Sequence, residues 1–505
     1  MDLSEAIPIE APFAASFPLP FRVLVLAGAG ILCWATNLHG LHFLGVDAAS
    51  ALEFRSHDAY GYAYGHPTGL RHSLTNPSPP DSLALARAIY RLYISYAFVV
   101  FAGWAFFRVA TRGELALVDV YKWIPAVTML VVIMLAVSPF NVVEKRVRDM
   151  FLLAVRRCLF SSTNTPVYFC DVVLADIFTS FAKVIGDVWL SFCMIMPGGS
   201  LLVFPEQSGW TRLMVPCLLS VPYGVRFRQC IIDYMQSTTT DKKQLYNALK
   251  YATSFPVIFL SAAQREIASE AGAAGAEVEE HPLFRLWLLS VAINSLYSFW
   301  WDVANDWGLE IFTPKHDSPR QSLKPLLLPI LQARRSSLEG SPSLHTRHQS
   351  LPNGSSDSHL SPSLTPTSYS QSPYPWGLRP ILLFPLPAYP MAIFTNLILR
   401  LTWSLKLSAH LHAQVSGALL FFWLELAELL RRWVWVFFRV EWECVRRERE
   451  REKEERVPMQ MRGGGDNNEG VGYEDGVGLA LEMNGVDHST HDDSRGKIIF
   501  DDGLP

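Results

Sequence analysis

The sequence predicts an all-α fold: a polytopic integral membrane protein of about nine transmembrane helices, with a disordered cytoplasmic loop and C-terminal tail. Three observations carry that expectation. Of 505 residues, 50% are hydrophobic and only 18% are charged, short of the roughly 25% charge with which soluble chains coat their surfaces. The apolar residues gather in runs of about 20, the length a helix needs to cross a bilayer. Two long stretches, 316–378 and 443–505, are polar, so the remainder is more apolar still. This composition excludes an ordinary soluble enzyme and a disordered scaffold, and a net charge of −4 gives no support to a nucleic-acid partner.

The elements follow in order along the chain. Residues 1–20 are acidic and lack the positive segment of a secretory signal, so they read as a lumenal N-terminus before a retained first span. Runs at 21–45, 85–107 and 117–140 form an N-terminal helical scaffold over 21–140. Next, 141–165 carries Lys145, Arg146, Arg148, Arg156 and Arg157 around the apolar Met150, Phe151, Leu152 and Leu153. That pattern suits a helix lying in the cytoplasmic interface. Four further runs, 172–196, 211–232, 245–264 and 283–303, make up a first core part over 166–315.

The stretch 316–378 is dense in Ser and Pro and cannot bury a core, so it reads as a disordered loop. Two last runs, 388–409 and 414–438, lie within a second core part, 379–442. The tail 443–505 opens with alternating basic and acidic residues (Arg446 to Arg456) and continues Gly- and Asp-rich. Trp123, Trp210, Trp300, Trp301, Trp307, Trp433 and Trp435 cluster near span ends, as interfacial aromatics do. Lys and Arg concentrate after the third, fifth and seventh runs, whereas 265–282 is acidic. That bias places the N-terminus in the lumen and the C-terminus in the cytosol.

Seven scattered cysteines form no C-x-x-C pair, so neither a disulfide framework nor a zinc site is expected. His39 and His42 lack an acidic partner, and the sequence shows no D-x-D, HExxH or GxSxG. The chain does not read as an enzyme, and no cofactor or metal is expected.

Charges inside the apolar runs do need an account, since each costs at least about 2.5–3.5 kcal/mol at mid-bilayer. Asp171, Asp176, Lys183 and Asp187 sit in the fourth run, the last three at spacings that place them on one helical face. Asp302 and Asp306, four apart, end the seventh; Arg400 lies in the eighth with Lys406 beyond, and Glu425, Glu428, Arg431 and Arg432 in the ninth. They could be structural ion pairs, but their number favours a polar pathway. Arg226, Lys250, Arg400, Arg431 and Arg432 offer donors suited to an oxyanion.

Several segments carry a resemblance: YFCDVVLADIF (168–178), VPYGVRFRQC (221–230), NALKYATSF (247–255), SFWWDVANDWGL (298–309), LILRLTW (397–403) and ELLRRWVWVFFRVE (428–441). Together they resemble the EXS domain over roughly 130–442, a family of eukaryotic phosphate exporters and of yeast Golgi proteins named for an ER-retention defect. The resemblance implies a path for inorganic phosphate through the last six helices. Its matching positions here are Asp176, Lys250, Tyr251, Asp302, Asp306, Arg400, Trp403, Glu428, Arg431 and Arg432. The plasma-membrane exporters carry an N-terminal SPX sensor; because the first run begins near residue 21, none is expected here, which resembles the Golgi branch.

The expected function is therefore a Golgi membrane transporter or channel that returns lumenal phosphate, a by-product of glycosylation, to the cytosol. It would thereby support retention of glycosyltransferases and ER residents, with the endoplasmic reticulum membrane as a second location. The alternative is a non-transporting membrane protein that retains or recycles Golgi enzymes through its cytoplasmic tail. The expected partners are inorganic phosphate, the lipid bilayer, and Golgi glycosyltransferases or their retention adaptor.

Overall fold

A computed structural model describes residues 10–46, 48–53, 82–205, 209, 211–237, 242–273, 282–309, 311, 378–379, 382–401 and 417–462. Every regular element among them is helical. The first part holds α1 (Glu10–Ser16), α2 (Leu19–Phe43), α3 (Ala48–Ala51), α4 (Ser82–Thr111), α5 (Leu115–Val120), α6 (Trp123–Val137) and α7 (Lys145–Phe160). Then come α8 (Phe169–Ser180), α9 (Ala182–Ile195), α10 (Thr211–Gln236), α11 (Lys243–Ala252), α12 (Ser254–Ala273) and α13 (Pro282–Trp301). A π-helical turn, Asp302–Asp306, continues α13, and α14 (Ala388–Arg400) and α15 (Gly417–Arg462) follow. The chain divides into two compact units, Met1–Arg449 and Glu450–Pro505. The core and the site lie in the first; the described part of the second is the helical stretch 450–462.

Helix occurs within each of the nine expected runs, yet among the described residues only three helices are long and apolar enough to cross a membrane by themselves. They cover Leu19–Phe43, Ser82–Thr111 and Leu283–Asp306, with Trp123–Val137 a shorter apolar helix. The reason is local. The run 172–196 breaks at Phe181 into α8 and α9, and 245–264 divides at Thr253 into α11 and α12. The run 388–409 is described only as far as Leu401. Large apolar side chains lie exposed along α4 and α6, Phe98, Phe101, Val109, Ile133 and Met134 among them. Such a surface suits lipid rather than water.

The core is built where α2 meets the rest. A side chain at Gly30 would run into the Phe181 ring, and one at Gly40 into that of Phe437. These small residues let α2 approach α9 and α15 closely. Two apolar clusters result. One gathers Leu38, Leu41, Val173, Trp307, Tyr389, Trp435 and Phe438; the other gathers Phe21, Leu26, Phe107, Val184 and Met194.

Three expectations need correction. Trp301, Trp307 and Trp435 are buried at 3%, 1% and 0% exposure, so they pack inside the helical core instead of marking an interface. Trp210 lies outside the described residues, as do nearly all of the Ser/Pro stretch and the tail beyond 462. Second, two of the five basic residues expected on an interfacial face turn inward. Arg148 donates to the carbonyls of Leu135, Ser138, Phe140, Val142 and Val143 at 2.5–3.0 Å, satisfying one carbonyl that the end of α6 leaves open and four in the loop that follows. Arg157 pairs with both carboxylate oxygens of Asp171 at 2.6 and 2.7 Å. Third, Asp176 and Lys183 do not share one continuous helical face, because the break at Phe181 separates them and each bonds different partners.

Candidate functional site

Ten of the eleven expected site residues come together in one buried lattice; Trp403 lies outside the described residues. The lattice begins on α8. Asp176, 2% exposed, accepts from Arg226 Nε at 2.9 Å and from the Tyr251 hydroxyl at 2.5 Å through the same oxygen, Oδ1. Arg226 comes from α10 and lies over the Tyr251 ring of α11, while one of its terminal nitrogens donates to Gln229 Oε1 at 2.6 Å. Lys250, the neighbour of Tyr251, reaches the other way. Its ammonium bridges Asp302 Oδ1 at 3.3 Å and Asp306 Oδ2 at 3.2 Å.

The π-helical turn explains how one lysine meets both carboxylates. The Trp307 amide donates to the Asp302 carbonyl at 2.9 Å, a five-residue step that widens the helix and swings the two aspartates from their α-helical positions. Such turns recur at functional sites. Asp302 is wholly buried and also collects Arg400, whose Nη2 and Nε donate to Oδ2 at 2.6 and 3.1 Å. Arg431 Nη1 stands 3.6 Å from that oxygen. Asn396 joins the same group, 3.4 Å from both Asp302 Oδ2 and Arg431.

The α15 end completes it. Arg431 presents its fork to Glu428, with Nε donating to Oε2 at 3.0 Å and Nη2 to Oε1 at 2.5 Å. Ser180 donates to Glu428 Oε1 at 3.1 Å. Arg432 differs from the others. It is 5% exposed and donates only to neutral hydroxyls, Ser180 Oγ at 3.1 Å and Thr179 Oγ1 at 3.0 Å. Its Nη1 is buried with no hydrogen-bond partner, and the guanidinium lies 4.5 Å from the Trp435 ring centre.

The charge count follows from this geometry. Among the described residues, five cations (Arg226, Lys250, Arg400, Arg431, Arg432) face four carboxylates (Asp176, Asp302, Asp306, Glu428), and Arg432 is the one of the five that contacts no carboxylate. A buried guanidinium that touches no carboxylate is costly, so the arrangement favours an anion beside Arg432. Sequence reasoning missed Thr179, Ser180, Gln229 and Asn396, which connect the charged members. Their only sequence signal is that they are polar inside apolar runs.

An all-helical membrane chain with an internal ionic lattice and a surplus of positive charge is the class these features define. The EXS family model matches residues 17–445, and the chain belongs to that family. It is 25% identical to Protein ERD1 homolog 1 of Schizosaccharomyces pombe, covering 85% of this chain and 92% of that protein. Protein ERD1 homolog 2 of the same organism is 24% identical, with 86% and 98% covered. SPX and EXS domain-containing protein 5 of Dictyostelium discoideum is 26% identical over 61% of this chain and only 28% of its own length.

Proposed function

We propose that the lattice is a path for inorganic phosphate, and that the protein is a Golgi membrane transporter or channel returning lumenal phosphate to the cytosol. Removing that glycosylation by-product would support retention of glycosyltransferases and ER residents, in line with the ER-retention defect for which its branch of the EXS family is named. The observation that carries the reading is Arg432: a buried guanidinium with one nitrogen unpartnered, beside two arginines whose charges are neutralised by carboxylates. A tetrahedral oxyanion supplies the missing acceptor and counter-charge together. Asp302 and Glu428, already bonded to Arg400 and Arg431, compete with the anion and keep its binding weak enough for release.

The second reading, docking through the cytoplasmic tail, finds less support. Arg446 and Arg447 both bond Glu443, and Arg447 also reaches Glu53 at 2.8 Å, so those two arginines are engaged internally. Radiolabelled phosphate flux in proteoliposomes of the purified full chain separates the readings. Wild type should conduct. Arg432→Gln should fold, because Ser180 keeps its bond to Glu428, and should lose flux per folded molecule by at least about tenfold, the loss of one charge-assisted hydrogen bond. Wild-type protein that carries no phosphate sinks the transport reading; a folded Arg432→Gln with full flux removes Arg432 from it.

A further inference from the structure

Outside the lattice, a second group of charges surrounds a cavity of about 50 Å³. Lys183 of α9 lies 2.5 Å from Asp187 Oδ1, one turn along its own helix, and 3.4 Å from Glu425 Oε1 of α15. Arg22 of α2 lines the same cavity, with Phe421 and Phe422 as its apolar wall. None of these charged residues contributes to the lattice described above.

We propose that Arg22, Lys183, Asp187 and Glu425 form a second, outlying station for a tetrahedral oxyanion, about two helical turns along α15 from Arg432. On the phosphate reading above, on which this inference rests, that anion is inorganic phosphate. Position supports it first. Glu425 precedes Glu428 by three residues, about 4.5 Å along α15, and Lys183, just past the break at Phe181, contacts Glu425 as Ser180, just before it, contacts Glu428. The polar surface therefore continues from the lattice toward the N-terminal end of α15.

Exposure then decides which groups a ligand meets. The Lys183 side chain is 43% exposed, whereas those of Asp187 and Glu425 are 5% and 13% exposed. The carboxylates hold the ammonium from behind, and the ammonium is the group within reach. An ammonium has three N–H donors, and the two carboxylates take two, leaving one for a ligand. The cavity's 50 Å³ is several times the roughly 10–15 Å³ that one water needs, so it admits a ligand of a few heavy atoms. Among the described residues the two carboxylates offset the two cations, so an anion is held through the exposed ammonium alone, and only weakly. A conducting path works through several weak sites in series.

The test uses the wild-type chain in proteoliposomes, with acetylation of Lys183 by an amine-reactive reagent followed by mass spectrometry. Inorganic phosphate should slow acetylation of Lys183 severalfold, and chloride at equal ionic strength should not. The protection should persist in Arg432→Gln. In flux measurements Lys183→Gln should raise the half-saturating phosphate concentration about tenfold, one charge-assisted hydrogen bond, and Lys183→Arg should restore most of it. Unchanged acetylation in the presence of phosphate overturns the station, as does protection that disappears in Arg432→Gln. Should Lys183→Gln fail to fold, the acetylation of wild type still decides. Absent wild-type flux speaks against the transport reading alone, because acetylation reports occupancy whether or not phosphate crosses.

Discussion

At the scale of single residues, the molecule distinguishes cations that are neutralised from cations that are not. Arg400, Arg431, Arg226 and Lys250 each meet a carboxylate, whereas Arg432 meets hydroxyls. Glu443 shows the opposite balance: a single carboxylate, 1% exposed, gathers Arg439 at 3.5 Å, Arg446 at 2.6 Å and Arg447 at 2.8 Å. Burial alone would push its carboxyl up, but the three guanidiniums outweigh that and hold it down at about 2, against an ordinary value of 4.5. The sign follows from linkage. A carboxyl depressed in the folded state contributes stability that is complete above the unfolded value and is lost as pH falls from about 4.5 toward 2. The contribution is roughly 3 kcal/mol. Glu443→Gln should therefore lower the thermal midpoint most at pH 7, and its gap to wild type should narrow steadily below about pH 4.5. A gap that stays constant from pH 7 to pH 3 would show that Glu443 acts through packing alone.

At the scale of elements, the π-helical turn matters most, because it aims Asp302 and Asp306 and is itself held from both sides. The turn ends at Trp307, whose carbonyl accepts from Arg379; Arg379 in turn pairs with Glu441 of α15 at 2.6 Å. Glu441 also accepts from the Leu383 amide at 2.8 Å and from the Tyr389 hydroxyl. Residues that follow the Ser/Pro stretch thus fix the end of a turn that precedes it. Gly308 closes the arrangement at φ +60°, and a Cβ there would stand 2.3 Å from the Trp442 ring. The ring is rigid and cannot give way as a flexible chain end would. Gly308→Ala should cost roughly 1–3 kcal/mol from overpacking, beyond the left-handed strain of about 1–2 kcal/mol. Gly113 is the control, since it has φ +81° with nothing within 4 Å, and Gly113→Ala should cost the strain alone. Thermal unfolding of both variants checks this; equal losses would mean that Trp442 does not confine the turn.

At the scale of the whole molecule, the helical class and most of the lattice were legible, and the irregularities were not. Asp176, Asp302, Arg400 and Arg431 stood out because a charge within an apolar run needs a reason; in the fold Asp302 meets Arg400 and Arg431, and Asp176 meets Arg226. Tyr251 became visible only through family resemblance; it lies beside Lys250 in the short helix α11. The break at Phe181 has no adjacent proline or glycine to announce it; Pro256 follows the break at Thr253 and Gly308 the π-helical turn, but neither residue by itself specifies that irregularity, which tertiary packing sets. The same limit bears on orientation. Arg148 and Arg157 are engaged inside the fold, which at first sight removes two basic residues from the loop bias. Orientation is decided while the chain inserts, however, before α6 exists to be capped or Asp171 is in place to pair. Their charges therefore still count, together with Lys145, Arg146, Arg156, Lys242 and Lys243. The expected arrangement keeps the N-terminus in the lumen and the C-terminus in the cytosol. Tags placed at each end and exposed to protease in sealed, cytosol-side-out vesicles decide it: the C-terminal tag should be digested and the N-terminal tag protected until detergent is added. The reverse pattern would overturn the orientation and move the Lys183 station to the cytosolic end of the path.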